Sequence, residues 1–363
     1  MRKLFVLLGL ALAVSGLAEA APGDLLRSVP SGAAVHGAVA PLPEGGWCAG
    51  NLSGELFCLD AGGRRRTLTL ADGPLLNAPL VQRGRLVVAS THGVQAFALA
   101  DGKPLWRLAL PPLPAPVLWD AYMPDPLPLG EEDLLVAHGR ELLRLNAADG
   151  KPRWRLSLDA AVIAQLQLQG GSLWLADVEG RLLKIDPASG AVRQRWAAAQ
   201  GLIQGAPALR EDGWAWITGR DARVRGWRLD GRNGGGGAQV WEADHGGNWI
   251  MAAPLLLGEQ LIVAESDGFL IQAYRARDGQ RLWHFGLGQN VFQAPVVDGE
   301  RLLVASGRAY QADAQGLVTA IGAGGELLWQ RALPANAFGR PLLVGRRLVV
   351  GTENGQVHEI AVD

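Results

Sequence analysis

The sequence predicts an all-β protein, an eight-bladed β-propeller made of four-stranded antiparallel blades. A phrase of turn residues followed by tryptophan recurs along the chain, as in Asp149-Gly-Lys-Pro-Arg-Trp154 and Asp278-Gly-Gln-Arg-Leu-Trp283. The repeated tryptophans are 42 to 48 residues apart, which is the period of a repeat that forms one propeller blade. After residue 20, short apolar runs bounded by Gly, Asp and Asn take the place of any sustained helical periodicity.

Residues 1–20 have the parts of a secretory signal peptide. Arg2 and Lys3 form a short basic region, residues 4–14 are apolar, and Ala18-Glu-Ala20 fits a cleavage site. The apolar stretch is too short for a transmembrane helix, and no later stretch is long enough. The first cysteine is Cys48, far from the cleavage site. We therefore expect an exported protein, periplasmic or secreted, that is soluble and not lipid-anchored.

The charge composition argues against one class of partner. The chain has 34 basic and 35 acidic residues and a formal net charge of −1. A balance this close to neutral gives no electrostatic reason to bind nucleic acid or an anionic membrane surface. We expect a monomer with no nucleic-acid partner.

Each repeat predicts four short strands, named A to D in chain order. In the sixth repeat they are expected at 251–257, 260–264, 270–274 and 281–285, with Gly-containing turns before strands C and D. Seven blades follow from this frame, at about 35–70, 77–110, 114–158, 163–199, 203–244, 250–287 and 291–333.

The eighth blade requires both ends of the chain. Residues 337–363 supply three strands, and we expect residues 24–30 to supply the fourth. This pairing closes the ring and removes the exposed sheet edges that promote aggregation. A single propeller domain then spans residues 21–363.

Three loops interrupt the repeat. The first is a Pro-rich insertion at 119–133, which is expected between strands A and B of blade three. The other two are a glycine run at 231–237 and the B–C loop at 307–316. Exposed aromatic and methionine side chains are enriched at protein interfaces. The candidates for a partner surface are Trp119, Tyr122 and Met123 in the insertion and Tyr310 in the B–C loop. The insertion is expected on the face opposite the D–A segments. Its aromatic side chains would alternatively fold back onto the blade.

The two cysteines, Cys48 and Cys58, fall on adjacent strands of one predicted hairpin. They would form a cross-strand disulfide in an oxidising compartment. The alternative is a pair of small buried thiols.

These repeats resemble the quinoprotein-like propeller family, whose repeat is named after pyrroloquinoline quinone (PQQ). The resemblance rests on Asp101-Gly102 followed by Trp106 and on the two phrases quoted above. It covers the whole predicted domain and implies that each Trp packs between neighbouring blades. Thr67 stands at the Trp position of blade one.

The resemblance implies two competing functions. Members that are PQQ-dependent dehydrogenases hold the quinone over calcium and usually carry adjacent cysteines; this sequence has no Cys-Cys pair and no recognisable calcium-ligand set. BamB-like members bind protein partners in outer-membrane protein assembly. Their size, blade number and signal peptide are similar, whereas their lipid-attachment cysteine is missing here. No catalytic, cofactor-binding or metal-binding residue is assigned.

The sequence thus favours an exported, non-enzymatic scaffold for a protein or peptide. The alternatives are a small PQQ-dependent dehydrogenase, with calcium, and a propeller that binds or senses a small ligand. Amide and aromatic residues in three D–A segments are candidates for a binding site at the mouth of the central channel. Alternatively, the amides satisfy backbone groups of the loops. The candidates are His245, Asn248, Trp249, Gln289, Asn290, Phe292 and Asn336.

Overall fold

The computed structural model describes residues 20–114, 122–229, 236–311 and 313–363. In these ranges the chain forms 32 strands in eight four-stranded antiparallel sheets, which follow one another around a ring. The predicted fold class, an eight-bladed β-propeller, is confirmed. No helix among the described residues has the length and apolar character needed to cross a membrane.

The strands of blades one to four follow the first strand, β1 (Leu25–Pro30). Blade one contains β2 (Ala40–Pro41), β3 (Gly46–Gly50), β4 (Glu55–Asp60) and β5 (Arg65–Leu70). Blade two contains β6 (Leu80–Gln82), β7 (Arg85–Ser90), β8 (Gly93–Ala98) and β9 (Pro104–Ala109). Blade three contains β10 (Leu127–Leu129), β11 (Asp133–His138), β12 (Glu141–Asn146) and β13 (Pro152–Ser157). Blade four contains β14 (Gln167–Gln169), β15 (Ser172–Ala176), β16 (Arg181–Ile185) and β17 (Val192–Ala197).

The second half of the ring repeats this order. Blade five contains β18 (Ala208–Leu209), β19 (Trp214–Thr218), β20 (Arg223–Arg228) and β21 (Ala238–Asp244). Blade six contains β22 (Leu255–Leu257), β23 (Gln260–Ala264), β24 (Leu270–Arg275) and β25 (Arg281–Gly286). Blade seven contains β26 (Val296–Asp298), β27 (Arg301–Ser306), β28 (Gly316–Gly322) and β29 (Leu327–Leu333). Blade eight contains β30 (Leu342–Val344), β31 (Arg347–Thr352) and β32 (Gln356–Ala361), and β1 joins it.

Strands B and C are apolar on both faces because each blade is packed between two others. Successive side chains of a strand point to opposite faces. In β11, Leu134 and Val136 therefore pack towards blade two, whereas Leu135 and Ala137 pack towards blade four. Eight such clusters of buried apolar side chains fill the eight blade interfaces. This explains why the sequence shows continuous apolar runs rather than strict alternation.

The ring closes through the N-terminal strand, as predicted. Strand β1 pairs antiparallel with β32, and Ser28 lies opposite His358. Gly23 N donates to the Ala361 carbonyl at 2.8 Å, and Ala361 N donates to the Asp24 carbonyl at 2.9 Å. The fourth strand of blade eight thus comes from the opposite end of the chain.

Each repeated tryptophan packs on a glycine of the following blade. A Cβ atom built on Gly150 would lie 2.4 Å from the ring of Trp106, and one on Gly279 would lie 2.5 Å from the ring of Trp241. Both glycines have φ near +70°, a conformation that side chains disfavour. The glycine before strand D of one blade is therefore the contact surface for the Trp of the preceding blade. The six pairs are Trp106 with Gly150, Trp154 with Gly190, Trp196 with Gly237, Trp241 with Gly279, Trp283 with Gly325, and Trp329 with Gly23.

The two interfaces on either side of blade one use other contacts. The Arg27 side chain of β1 covers Gly63, and a Cβ atom there would lie 2.2 Å from the guanidinium. Gly102 packs against the backbone of Leu68, and a Cβ atom there would lie 2.7 Å from its carbonyl oxygen. Blade one has Thr67 where blades two to seven have Trp, in agreement with the sequence.

Blade three is arranged differently from the prediction. Its strand A is Leu127–Leu129, inside the segment expected to separate strands A and B. Residues 122–126 of the insertion therefore precede strand A and belong to a D–A segment. They lie on the face of the D–A segments and not on the opposite face. Residues 1–19, which contain most of the expected signal peptide, and 115–121, which contain Trp119, lie outside the described residues.

Candidate functional site

A cavity of about 240 Å³ lies at the centre of the ring, and all eight blades line it. Its wall is formed by the residues that lead into each strand A. Tyr122, Met251 and Phe292 make its apolar part, together with neighbouring backbone. Its polar part consists of His36, Asn77, Asp125, Gln165, Gln167, Gln204, Gln293 and Arg340.

The segment before strand A of blade three brings Tyr122, Met123 and Asp125 to the centre of the ring. Tyr122 and Met123 are buried, so the exposed positions expected for them are wrong. The Tyr122 hydroxyl donates to the Phe338 carbonyl of blade eight at 3.3 Å, and its ring packs with Met251, Phe292 and Phe338. Burial raises the pKa of Tyr122 above its ordinary range, so the hydroxyl stays protonated. This segment forms a plug across the channel.

Asp125 connects the plug to three other blades. Its Oδ1 accepts from the Ala78 N–H of blade two at 2.8 Å, and its Oδ2 pairs with Arg340 of blade eight. Its own N–H donates to Gln165 Oε1 of blade four at 2.9 Å. The carboxylate is therefore fully used in positioning the plug, and its charge is balanced by Arg340.

Two residues beside the cavity have a buried amide oxygen with no hydrogen-bond partner among the described residues, Asn77 Oδ1 and Gln167 Oε1. Asn77 is 2% exposed, and its Nδ2 donates to the Pro124 carbonyl at 2.9 Å. That bond fixes which end of the amide carries the oxygen.

His245 does not reach the channel mouth. Its side chain is enclosed between blades five and six, with Nδ1 against Glu265 Oε1 and Nε2 2.9 Å from the Tyr274 hydroxyl. Gln272 also donates to Glu265. Burial, together with the negative charge of Glu265, raises the pKa of Tyr274 above its ordinary range. The group is a buried polar contact between two blades, without access for a substrate.

The amide candidates mainly hold loop backbone. Gln289 Nε2 donates to the Gln315 carbonyl at 2.9 Å, and Asn290 Nδ2 donates to the Ser266 carbonyl at 3.0 Å. Asn336 Oδ1 accepts from the Arg308 N–H at 2.7 Å. Of the seven channel-mouth candidates, Phe292 lines the central cavity. Asn336 instead lines a separate surface groove beside Tyr310.

Trp249 and Tyr310 lie on the outer surface of the same face. Trp249 is 40% exposed, and the Arg220 guanidinium carbon lies 5.0 Å from its ring centroid. Tyr310 is 80% exposed and Phe269, in the B–C turn of blade six, is 40% exposed. Within the described ranges these three are the exposed aromatic side chains. We call them the aromatic rim; Asn248, whose N–H donates to the His245 carbonyl at 3.2 Å, lies beside it.

Phe269 was not singled out by sequence reasoning. It has φ +56°, a left-handed conformation that is unfavourable for a bulky residue. Gly268 predicts a turn at this place in the sequence. The sequence does not indicate that Phe269, rather than Gly268, adopts the left-handed conformation. Strained residues of this kind concentrate at functional sites.

The cavity residues do not fit PQQ with calcium. Calcium requires six to eight oxygen ligands, and in the described part of the chain no three His, Cys, Asp or Glu side chains converge. PQQ carries carboxylates that require cations or donors. Arg340, the guanidinium in the cavity lining, is already paired with Asp125.

Cys48 and Cys58 lie opposite each other on β3 and β4 and form a disulfide. The pairing resolves the two alternatives that the sequence left open. The bond is buried in the cluster between blades one and two.

The sequence contains two positions that fit the start of strand A in blade three. Asp125-Pro126-Leu127 resembles Ala78-Pro79-Leu80, which leads into strand A of blade two. Ala115-Pro116-Val117 resembles Ala294-Pro295-Val296 of blade seven equally well, so the sequence alone does not decide between them.

Comparisons with known proteins agree with this architecture. The family model described as outer membrane protein assembly factor BamB matches residues 14–119, 94–225, 233–305 and 270–363. The BamB protein of Bordetella pertussis (strain Tohama I) is 25% identical over 273 residues, which cover 70% of this chain and 66% of that protein. The chain thus spans slightly less than two thirds of this relative's length.

Solved structures share the fold at low identity. BamB from Moraxella catarrhalis has a TM-score of 0.73 at 16% identity, covering 93% of this chain and 99% of that one. Saccharomyces cerevisiae Sqt1 has a TM-score of 0.72 at 10% identity, covering 94% and 100%. At such identities the likeness is one of fold. The family model, which matches most of the chain, shows more: the chain belongs to the family of outer membrane protein assembly factor BamB.

Proposed function

We propose that this propeller is an exported, non-catalytic scaffold that binds a protein partner during outer-membrane protein assembly. The description of the matching family model and the name of the Bordetella relative both refer to outer-membrane protein assembly, and this supports a role in that process. The arrangement of the aromatic rim carries the proposal for this chain. Trp249, Phe269 and Tyr310 lie in D–A and B–C connections of blades six and seven, which share one face of the ring.

The rim has the chemistry of a protein-binding surface. Aromatic anchors supply large contact areas at little cost in conformational entropy, and Trp and Tyr dominate binding energy at interfaces. Phe269 is held outward at a strained φ, and its exposure has no benefit for folding of the isolated chain. The surface groove of Ala309, Tyr310, Asp313 and Glu353 adds acidic groups next to the rim.

Site-specific photo-crosslinking in intact cells tests the partner surface. A photoreactive residue at position 249 or 310 is expected to capture a component of the outer-membrane assembly machinery, identified by mass spectrometry. Leu105, 48% exposed on outer strand β9, is the matched control and should give no such product. Identical products at all three positions, or none at 249 and 310, would contradict the proposal.

Export and the absence of catalysis have their own tests. The Cys48–Cys58 disulfide supports an oxidising compartment, so the protein should fractionate with the periplasm or envelope; a cytoplasmic protein with reduced cysteines contradicts export. Added PQQ and Ca²⁺ should produce no quinone spectral shift and no dye-linked oxidation of alcohols or sugars. A stoichiometric spectral shift with turnover would instead support the dehydrogenase alternative.

A further inference from the structure

We propose that the buried His245–Glu265 pair positions the aromatic rim. Trp249 and Phe269 keep their arrangement only while the imidazole of His245 carries both ring protons. This regulation rests on the proposed function, because it acts on the same surface. Three observations support it: the place of the pair in the fold, the packing around Gly268 and the direction of the hydrogen bonds.

The pair joins the two loops that carry Trp249 and Phe269. His245 begins the D–A segment that leads to Trp249, and Glu265 begins the B–C turn that ends in Phe269. His245 Nδ1 is in direct contact with Glu265 Oε1, and the two side chains are 0% and 2% exposed. The backbones are linked as well, since Ser266 N donates to the Trp249 carbonyl at 3.0 Å. One buried side-chain contact and one backbone hydrogen bond thus hold the two loops against each other.

Gly268 connects the carboxylate of Glu265 to the rim. A Cβ atom built on Gly268 would lie 1.8 Å from Glu265 Oε2 and 3.1 Å from Asn248 Nδ2. The turn backbone is therefore packed between the carboxylate and the residue that precedes Trp249. Phe269 follows Gly268 directly and has φ +56°, a conformation that persists only when the surrounding structure holds it. A displacement of the Glu265 side chain would thus move the Phe269 backbone.

The hydrogen bonds around the pair match one protonation state of His245. With both ring nitrogens protonated, Nδ1 donates to Glu265 Oε1 and Nε2 donates to the Tyr274 hydroxyl at 2.9 Å. The hydroxyl then donates to Gln272 Oε1 at 3.0 Å, and Gln272 Nε2 donates to Glu265 Oε1. A neutral ring with its proton on Nδ1 needs the single Tyr274 proton for Nε2, which leaves Gln272 Oε1 without that donor. The other neutral form turns an unprotonated Nδ1 towards the carboxylate. Because a buried group that loses its partner is destabilising, loss of one proton favours a different arrangement of the two loops.

The other ionisable groups around the pair are neutral or already paired. On blade six, burial and the negative charge of Glu265 raise the pKa of Tyr274, whereas Arg281 acts in the opposite direction, and the hydroxyl stays protonated. Asp267, in the same turn as Glu265, accepts from the Ser266 hydroxyl at 3.1 Å. The charged residues in and beside strands β20 and β21 of blade five form ion pairs: Asp221 with Arg225 at 2.8 Å, Glu242 with Arg225 at 2.9 Å, and Asp244 with Arg223 at 2.9 Å. A change in the charge of this cluster is therefore assigned to the buried pair.

The experiment follows Trp249 by ¹⁹F NMR in the full protein labelled with 5-fluorotryptophan, between about pH 5 and about pH 9. The Trp249→Phe variant identifies its resonance among those of the 13 tryptophans. In the wild type this resonance is expected to shift in one step as the pH rises. His245→Gln should abolish the step, because glutamine does not change its charge. His284→Gln is the matched control, since His284 is exposed on β25 of the same blade and its replacement should leave the step unchanged.

Glu265→Gln is the second variant, and it keeps the shape of the side chain. Without the carboxylate, a buried imidazolium has no counter-charge, so the ring is neutral. The Trp249 resonance should then stay at its high-pH position throughout the range. A wild-type resonance that does not respond to pH, or an equal response in His245→Gln, overturns the proposal and leaves the pair as a blade contact without effect on the rim.

Photo-crosslinking separates this regulation from the proposed function. Capture of the partner by a photoreactive residue at position 310 should fall by about fivefold or more in His245→Gln, because two aromatic anchors of the rim are displaced. Unchanged capture would overturn the role of the pair in partner binding. If the wild type captures no partner, the proposed function fails, whereas the ¹⁹F measurement still decides whether the pair positions Trp249.

Discussion

The blade interfaces and the centre of the ring are built from different kinds of contact. At six interfaces the same pair recurs, a Trp of one blade on a positive-φ Gly of the next. At the centre no single pair of side chains recurs from blade to blade, and one segment, residues 122–126, contacts blades two, four and eight. The interfaces thus repeat one contact, whereas the centre does not. Four experiments test this difference, beginning with the largest expected effect.

Trp241→Ala should lower the free energy of unfolding by about 3–4 kcal/mol, because it leaves a large void between blades five and six. The indole also donates to the Ala276 carbonyl at 2.9 Å, and this bond would be lost. Urea unfolding followed by fluorescence measures the change. Trp249→Ala, at an exposed position, should cost less than about 1 kcal/mol. Equal losses would mean that the interface Trp is not a principal contact.

Gly279→Ala should lower stability by about 2–4 kcal/mol, since a Cβ atom would both clash with Trp241 and occupy a left-handed conformation. Gly258→Ala is the matched control. Gly258 has φ +58°, and a Cβ atom there would have no other atom within 4 Å, so only the conformational cost of about 1 kcal/mol applies. Thermal melting of both variants separates the two contributions, and equal shifts would rule out the clash.

His358 makes the closing blade sensitive to acid. It is buried between Ser28 of β1 and Thr352, and burial lowers its pKa from 6.5 to about 4. Below about pH 6.5 the imidazole of His358 is protonated in the unfolded chain but stays neutral in the folded chain. The free energy of unfolding therefore falls as the pH drops towards 4, by at most about 3 kcal/mol. His358→Gln should remove this part of the pH dependence of urea unfolding. An unchanged pH profile would contradict the assignment.

The Asp125–Arg340 pair should show the smallest effect. Both side chains are partly exposed, so a double-mutant cycle with Asp125→Asn and Arg340→Gln should give a coupling energy of about 1 kcal/mol. The exposed Asp101–Lys103 pair is the reference and should give a smaller coupling energy, because solvent screens it more strongly. Equal coupling energies for the two ion pairs would mean that the Asp125–Arg340 pair does not fix the position of residues 122–126.

The periodic part of the fold could be predicted because its causes are local. Turn glycines, apolar runs and a tryptophan at a fixed spacing can all be recognised within a single repeat. The pairing of residues 24–30 with the last blade follows because residues 337–363 supply only three strands. The partner of each Trp could not be predicted in the same way. The phrase places Gly and Trp in one repeat, whereas the contact joins the Trp to the Gly of the next.

The centre was predicted less well because its contacts are long-range. The three-residue strand A of blade three carries little periodicity, and Pro126 rather than Pro116 precedes it. The amide-rich D–A segments suggested a binding site, yet Gln289, Asn290 and Asn336 are used by loop backbone. Sequence alone does not show which amides already have partners in the folded chain.

The contact of each Trp with the following blade has a consequence for how such rings change in evolution. Blades three to seven each carry the Gly of the contact with the preceding blade and the Trp of the contact with the following blade. A segment of one period, duplicated or deleted as a unit, would therefore keep all remaining interfaces matched. The number of blades is then fixed by ring closure, where Arg27 meets Gly63 and Trp329 meets Gly23.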